Sequence, residues 1–271
     1  MQMKLLLIGC GNLGSLLLKS WRYKKIKLEV LEKNKKKCLS LKNLYPNIKF
    51  HIKLGDIGHK NYDFIVLCIK PSELDKLNLP LHSKNLQTKN LVSVMAGTNI
   101  KKLERLFDYN LNIFRVMPNI FAGVNHSSTA LFIKKTISKK LKKDLENLFN
   151  IIGKIIWLKK EDNLNFFTAL YGGGPAYIFY FFKNLIEISE KNGISKKKSI
   201  ELVKSMLFGS AEYLKKNNLT LDSIISTVTS KGGTTEEALK FFEKNKQIFN
   251  LLAAGINKAS KKSNLMSKKY N

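Results

Sequence analysis

The chain has 271 residues, of which 44% are hydrophobic, so it can bury a core, and a wholly disordered chain is excluded. Its formal net charge is +28, but only three of its 48 basic residues are arginine. Because bidentate binding of phosphates and guanine edges favours arginine, the lysine excess is typical of solvated faces, and no specific nucleic-acid partner is predicted. The three cysteines show no paired spacing, so neither a disulfide framework nor a metal site is predicted.

No segment predicts a membrane span or a secretion signal. The longest apolar runs, Leu5–Ile8 and Ile65–Ile69, fall short of the roughly 18 residues that a helix needs to cross a bilayer. The first residues lead directly into a strand-like run, without the charged, apolar and small-residue pattern of a signal peptide. We therefore expect a cytoplasmic protein with no membrane partner.

Residues 1–160 alternate short β-rich runs with segments of helix-like composition, such as Asn12–Lys24 and Lys139–Ile152. Strands that alternate with helices predict an α/β Rossmann fold, doubly wound around a mainly parallel sheet. The predicted strands are Lys4–Ile8, Lys27–Leu31, Asp63–Ile69, Asn90–Ala96, Asn112–Met117, Thr129–Ile133 and Lys154–Leu158.

From residue 161 to residue 271 the β-rich runs disappear and long helical segments follow. The segment from Pro175 to about Asn192 is apolar on nearly every helical face, and such a helix must be covered on most sides. We predict a dinucleotide-binding domain at residues 1–160 and an all-helical substrate and dimerisation domain at residues 161–271. The lysine-rich tail from Lys258 is expected to fray.

The segment Gly9–Gly14 has the pattern G-x-G-x-x-G, directly after a predicted strand and at the start of a predicted helix. The first glycine permits a tight turn, the second lets the backbone approach a pyrophosphate, and the third allows close packing of helix on strand. The helix N terminus adds unpaired N–H groups. The residues predicted to bind a dinucleotide here are Gly9, Gly11, Asn12, Leu13 and Gly14.

The residues after the second predicted strand leave NADPH and NADH both open. Glu32 lies at about the usual spacing for a carboxylate that binds a free ribose 2′-hydroxyl. Lys33, Asn34 and the lysines that follow would instead suit a 2′-phosphate. For Glu32, a solvated surface charge is a third interpretation.

Further motifs follow in order along nearly the whole chain. They are IKP at Ile69–Pro71, AGT at Ala96–Thr98, RVMPN at Arg115–Asn119, LYGGGPAY at Leu170–Tyr177 and VTSKGGTT at Val228–Thr235. Together with the glycine loop, they resemble the motifs of pyrroline-5-carboxylate reductases. The last motif is the most specific, because generic dinucleotide-binding proteins lack it.

The resemblance implies a Rossmann domain followed by a helical domain that interleaves with a second copy. It also implies reduction of the small molecule (S)-1-pyrroline-5-carboxylate to L-proline by NADPH or NADH. By resemblance, the cofactor crevice is lined by Lys70, Pro71, Ala96, Gly97, Pro118 and Asn119, the last two near the nicotinamide. The substrate loop at the dimer interface matches Ser230, Gly233, Thr234 and Thr235.

The residue types of this loop suit the same role. Gly232–Thr235 precedes a predicted helix at Glu236–Glu243, so N–H groups and hydroxyls gather at a helix N terminus, where a small carboxylate can bind. Thr235 is the predicted catalytic residue, which hydrogen-bonds the ring nitrogen and positions the imine carbon. Its alternative role is the helix N-cap. A cyclic imine can be protonated in solution, so reduction needs hydride and orientation more than a strong acid.

The sequence departs from the family pattern near these motifs. Tyr171 and Gly173 stand where serine is usual, and Ile120 and Phe121 stand where Thr-Pro is usual. Lys231 stands where proline is usual. The loss of the proline loosens the substrate loop, or the lysine adds charge attraction for the carboxylate.

Two other functions compete with this interpretation. A β-hydroxyacid dehydrogenase needs a lysine base early in the long central helix, but Pro175–Phe182 has none and Lys183 arrives late. A non-catalytic basic protein on a degenerate Rossmann scaffold would show an arginine-rich stripe or interleaved aromatic residues, which the sequence lacks. A homodimeric reductase, or an assembly of such dimers, is the prediction.

Overall fold

The computed structural model describes residues 2–22, 26–57, 60–77, 86–107 and 110–270. The chain divides into two compact units, one comprising residues 1–175 and 257–271 and the other residues 176–256. Within the described ranges, no helix combines the length and the apolar character that crossing a membrane requires.

The larger unit is built around an eight-stranded sheet with the strand order β10-β9-β8-β7-β5-β1-β2-β3. Its described strands run parallel except where β9 lies antiparallel to β8. The strands are β1 (Met3–Ile8), β2 (Ile26–Leu31), β3 (Lys49–His51), β4 (Lys60–Asn61), β5 (Phe64–Leu67), β6 (Leu86–Gln87), β7 (Asn90–Ser93), β8 (Asn112–Met117), β9 (Ser127–Ile133) and β10 (Gly153–Trp157), of which β4 and β6 pair separately.

Ten α-helices are described. Several begin at a side chain that accepts a backbone N–H bond, among them Asn34, Asn99, Ser138 and Thr220. The helices are α1 (Asn12–Trp21), α2 (Lys35–Leu44), α3 (Ile100–Leu106), α4 (Lys139–Asn150), α5 (Asn163–Phe167), α6 (Gly174–Lys191), α7 (Lys196–Lys216), α8 (Leu221–Thr227), α9 (Thr234–Glu243) and α10 (Gln247–Tyr270).

The sheet is buried on both faces, as a doubly wound fold requires. Successive side chains of β1 alternate between the two apolar clusters: Leu5 and Leu7 belong to one, and Leu6 and Ile8 to the other. All four are at most 2% exposed. The predicted fold class is confirmed, and each of the seven predicted strands is present with ends that agree within three residues. The end of the predicted first helix, at Lys24, lies outside the described residues.

Three short strands were not predicted. β3 has the sequence KFH, β4 has KN and β6 has LQ. Segments of this length carry too few apolar residues to show a period of two. Their strand conformation comes from pairing with a neighbour, β3 with β2 and β4 with β6.

A buried carboxylate lies within the sheet, where the sequence predicted no polar site. Glu29 on β2 is 2% exposed and accepts hydrogen bonds from Lys60 Nζ at 2.7 Å and Tyr62 Oη at 3.0 Å, and it bonds His51 Nε2 at 2.9 Å. Burial alone would raise the pKa of Glu29, but the bonds from Lys60, His51 and Tyr62 outweigh burial and hold this pKa below its ordinary value.

The smaller unit consists of helices and leaves large apolar side chains exposed. Phe179 and Tyr180 on α6 are 50% and 66% exposed, Phe208 on α7 is 70% exposed, and Leu251 on α10 is 76% exposed. Exposed apolar surface on this scale marks an interaction surface. The prediction of a central helix that needs cover from outside its own chain agrees with these exposures.

The C-terminal tail is ordered helix, so the prediction that it frays is wrong. α10 continues to Tyr270, and the hydroxyl of Ser263 donates to Asn165 Oδ1 at 2.8 Å. Both side chains are 7% exposed. Residues 161–175 and 257–271 therefore belong to the compact unit of the sheet. The predicted boundary at residues 160 and 161 follows the change from strands to helices and stays a prediction.

Candidate functional site

The glycine loop joins β1 to α1 in a turn that two of its glycines make possible. Gly9 has a φ of +89°, and a Cβ there would lie 2.6 Å from the carbonyl oxygen of Cys68. A Cβ on Gly14 would lie 2.3 Å from the carbonyl oxygen of Gly9. The first contact closes the loop against β5 and the second sets α1 tightly on the loop, so neither position accepts a side chain without movement of the backbone.

Gly11 differs, because its neighbourhood is open. It is the N-cap of α1, with a φ of −58°, and no side chain caps the helix there. A Cβ on Gly11 would meet no atom of the described ranges within 4 Å. The first N–H groups of a helix have no partner within it, so those of Asn12, Leu13 and Gly14 are available to an anion. This open cradle fits a pyrophosphate.

Glu32 follows β2 and points back to the glycine loop. Its Oε2 accepts a bond from the Cys10 N–H at 2.9 Å, and its Oε1 accepts one from the Asn34 N–H at 2.9 Å. The residue is 8% exposed, so the interpretation as a solvated surface charge is wrong. A contact with the ribose stays a prediction. Lys33 is exposed and forms an ion pair with Glu73, in the turn that follows Pro71.

The other predicted cofactor residues follow neighbouring strands of the same sheet. Lys70 and Pro71 come after β5, Ala96 and Gly97 come after β7, and Pro118 comes after β8. Because β2, β1, β5, β7 and β8 are adjacent and parallel, their carboxyl ends share one edge of the sheet. Ligands of open α/β sheets bind outside this edge. The structure therefore brings the predicted cofactor residues together at the expected place.

The turn that contains Ala96 and Gly97 is closely packed. Gly97 has a φ of +75°, and a Cβ there would lie 3.2 Å from Met266 Cβ on α10. The next residue, Thr98, is fully buried, and its Oγ1 has no hydrogen-bond partner among the residues that the structure describes. A buried hydroxyl without a partner is rare in proteins and is one mark of a binding site.

The side chain of Asn119 forms hydrogen bonds with two backbone groups. Its side chain accepts a bond from the Phe121 N–H at 3.0 Å and donates to the Tyr171 carbonyl at 3.0 Å, while its own N–H donates to Ser127 Oγ at 2.9 Å. Since the Phe121 and Tyr171 atoms are main-chain atoms, the unusual side chains at these positions leave both bonds intact.

The predicted substrate loop lies in the smaller unit, before α9. The helix begins at Thr234, two residues earlier than predicted, and Gly233 is its N-cap. The alternative role of Thr235 as N-cap is therefore wrong: it is the second residue of the helix. A Cβ on Gly233 would lie 2.5 Å from Ser230 Oγ, so the absence of a side chain lets this hydroxyl approach the helix start.

Glu236 was not predicted as part of this loop. Its Oε2 accepts a bond from the Gly232 N–H at 2.8 Å and forms an ion pair with Lys240 at 3.3 Å. The bond from Gly232 and the interaction with Lys240 lower the pKa of Glu236. A glutamate at the third helical position is a capping signal that could have been recognised from the sequence. The backbone N–H groups of Thr234 and Thr235 have no partner within the helix.

A cavity of about 560 Å³ opens elsewhere in the larger unit. It lies between the edge strand β10 and α5, and contains none of the residues predicted to bind cofactor or substrate. Two of its aromatic side chains, Phe166 and Tyr171, are 52% and 44% exposed.

Comparison with known proteins gives matches to both halves of the chain. A family model described as pyrroline-5-carboxylate reductase dimerisation matches residues 161–266. One described as NADP oxidoreductase, coenzyme F420-dependent, matches residues 4–97. A pyrroline-5-carboxylate reductase from Staphylococcus haemolyticus is 28% identical over 240 residues, which cover 88% of each chain.

Solved structures of similar proteins align along almost the full length. A pyrroline-5-carboxylate reductase from Coxiella burnetii has a TM-score of 0.87 and 25% identity, with 98% of this chain and 99% of that chain covered. The Plasmodium falciparum pyrroline carboxylate reductase, solved with NADP bound, has a TM-score of 0.79 and 29% identity at the same coverage. The motifs, the sheet and these matches agree, and the chain is similar to pyrroline-5-carboxylate reductases along almost its full length.

Proposed function

We propose that this protein reduces (S)-1-pyrroline-5-carboxylate to L-proline by hydride transfer from NADPH or NADH. The observation that carries the proposal is the assembly of the glycine loop and the IKP, AGT and RVMPN motifs at one carboxyl edge of the sheet. The second support is the hydroxyl-bearing loop at the start of α9, whose residue types suit a small carboxylated substrate.

The cofactor site uses the N terminus of α1. The N–H groups of Asn12, Leu13 and Gly14 bind the pyrophosphate, and the missing side chain at Gly11 lets it approach the backbone. Lys70, Pro71, Ala96 and Gly97 flank the crevice, and Pro118 and Asn119 lie at its nicotinamide side. The bound nicotinamide supplies the hydride.

The substrate site uses the N terminus of α9. Its free N–H groups, together with the hydroxyls of Ser230 and Thr234, bind the carboxylate. Thr235 hydrogen-bonds the ring nitrogen and orients the imine carbon towards the hydride donor. No residue has to act as a strong acid, because the imine is protonated before reduction, so orientation provides most of the acceleration.

The exposed surface of the helices supports a proposal about the assembly of the protein. The dimerisation model matched to the helical half and the exposed aromatic side chains of α6 and α7 both favour an oligomer. The form we propose is a homodimer, or an assembly of homodimers, in which a second copy covers this surface. We also propose that the protein acts in the cytoplasm, without a nucleic-acid or membrane partner.

The β-hydroxyacid dehydrogenase alternative is disfavoured by α6. The first lysine of this helix is Lys183, in its second half, where the ammonium group is largely exposed and lies 3.4 Å from Glu187. A lysine paired on the surface is not placed to remove a proton from a buried alcohol.

The test is reduction of pyrroline-5-carboxylate by the purified protein, followed as oxidation of NADPH or NADH. Oxidation no faster than without the protein would reject the function. Thr235→Ala is expected to lower kcat about 10²-fold or more, in the range of one lost positioning or acid–base contact, and to leave the Kd for NADPH unchanged. Thr229→Ala is the matched control, because its hydroxyl donates to the Ile225 carbonyl at 2.8 Å and serves the end of α8.

A further inference from the structure

An ion pair between a buried arginine and a partly exposed glutamate lies beside the Ala96–Thr98 turn. Arg115 on β8 is 4% exposed, and its Nη1 donates to Glu161 Oε1 at 3.1 Å. Its Nη2 donates to the carbonyl oxygen of Met95 at 3.5 Å. Met95 is the residue immediately before the turn, so the guanidinium group holds one end of it.

The same carboxylate oxygen holds the other end of the turn. Glu161 Oε1 also accepts the Ile100 N–H at 2.8 Å, and Ile100 is the first residue of α3. The pair therefore fixes the backbone on both sides of the Ala96–Thr98 turn. The backbone of Met266 closes the turn from a third side at Gly97, whose left-handed φ of +75° leaves few alternative conformations.

Stability alone does not account for this pair. Burial lowers the pKa of Arg115, and the Glu161 carboxylate opposes that effect. A buried guanidinium has to repay a large desolvation penalty, and well-packed apolar residues are often as stabilising or better. Arg115 Nε is buried and has no partner in the described part of the chain, which adds a further penalty. What the pair supplies is a fixed geometry of the turn.

We propose that Arg115 and Glu161 are positioning residues, which hold the Ala96–Thr98 turn in the conformation that receives the dinucleotide. The inference rests on the proposed function only in that this turn lines the cofactor crevice. Neither side chain needs to touch the cofactor. Both act through the backbone on either side of the turn.

The test compares Glu161→Gln and Arg115→Lys with Glu146→Gln in the full-length protein. Glu146 is a matched control: its side chain is 29% exposed, against 26% for Glu161, and it likewise accepts an N–H bond, from Trp157 Nε1 at 2.7 Å. For each variant, the Kd for NADPH is measured by fluorescence titration, kcat and KM by the reductase assay, and Tm by calorimetry.

We expect Glu161→Gln and Arg115→Lys each to raise the Kd and KM for NADPH about tenfold, because the groups that bind the cofactor are misplaced. The kcat at saturating cofactor should change by less than about threefold. Glu146→Gln should bind NADPH like the wild type. A lowered Tm with unchanged Kd in both test variants would overturn the positioning role.

Wild-type protein that binds NADPH but does not reduce pyrroline-5-carboxylate would refute the proposed function alone, because the titrations would still decide the role of the pair. Wild-type protein that binds neither NADPH nor NADH would overturn both proposals.

Discussion

Alanine substitutions at Gly11 and Gly14 are expected to separate cofactor binding from folding within one loop. At Gly11 the added methyl group meets no described atom within 4 Å, and the φ of −58° suits any residue. The fold is therefore unaffected, but the methyl group occupies the space through which a pyrophosphate approaches the backbone. At Gly14 the methyl group would lie 2.3 Å from the carbonyl oxygen of Gly9, so α1 or the loop has to move.

The magnitudes follow from these contacts. For Gly14→Ala, overpacking costs about 1–3 kcal/mol, offset by roughly 1 kcal/mol of improved helix propensity, so the net loss is at most about 2 kcal/mol. In a protein of this size that lowers Tm by up to about 8 °C. For Gly11→Ala, the free energy of unfolding should change by less than about 0.5 kcal/mol. Loss of the close phosphate contact should raise the Kd for NADPH at least about tenfold, or about 1.4 kcal/mol.

Calorimetry of the cofactor-free variants and titration with NADPH measure the two effects separately. The expected pattern is a lowered Tm for Gly14→Ala, and a normal Tm with weak NADPH binding for Gly11→Ala. Normal NADPH affinity in Gly11→Ala would refute the assignment of the open cradle to the pyrophosphate. A Tm of Gly11→Ala as low as that of Gly14→Ala would show that the space at Gly11 is not open.

Three further predictions concern buried groups. Thr98→Val removes a buried hydroxyl to which no described residue is hydrogen-bonded, so calorimetry of the cofactor-free protein should show a gain of about 1 kcal/mol in stability. A loss of stability would mean that the hydroxyl is satisfied. The pKa of Glu29 is lower in the folded than in the unfolded protein, so its stabilising effect is complete above the ordinary carboxyl value of 4.5 and is lost as the pH falls through the folded value. The difference in Tm between wild type and Glu29→Gln should therefore be large at neutral pH and vanish in acid, and a difference independent of pH would contradict the linkage. Burial raises the pKa of the Cys10 thiol to about 11 and that of Cys68 to about 12, so iodoacetamide at pH 8 should label both in denaturant and neither in the native protein, as mass spectrometry would show.

Much of the fold could be predicted from the sequence because it depends on local patterns. The apolar β-rich runs predicted seven strands, and the glycine motif after the first of them predicted the turn into α1. The short strands β3, β4 and β6 could not be predicted, because their conformation is set by a neighbouring strand. The tail was expected to fray because of its lysines, but within the larger unit Ser263 makes a buried hydrogen bond to Asn165, and Met266 lies close to Gly97.

In the candidate site, too, the local features could be predicted from the sequence and the long-range contacts could not. The residue types that bind a phosphate or a carboxylate at a helix N terminus are local, so the glycine loop and the loop before α9 could be recognised in the sequence. The start of α9 was placed two residues too late, since Gly233 gives no side-chain capping signal. For Glu32, the sequence left three interpretations open, and only its bonds to two backbone N–H groups excluded the solvated one.

The sequence by itself determined the order of strands and helices, the anion-binding loops and the family motifs, because each depends on residues close together in the chain. Only the tertiary structure decided that Arg115 and Glu161 hydrogen-bond both ends of one turn and that Met266 packs against it. The same holds for Thr98, which is buried with no partner within the described segments. These contacts join residues far apart in the chain. They arise when the sheet places strand ends side by side, and no local pattern encodes such proximity.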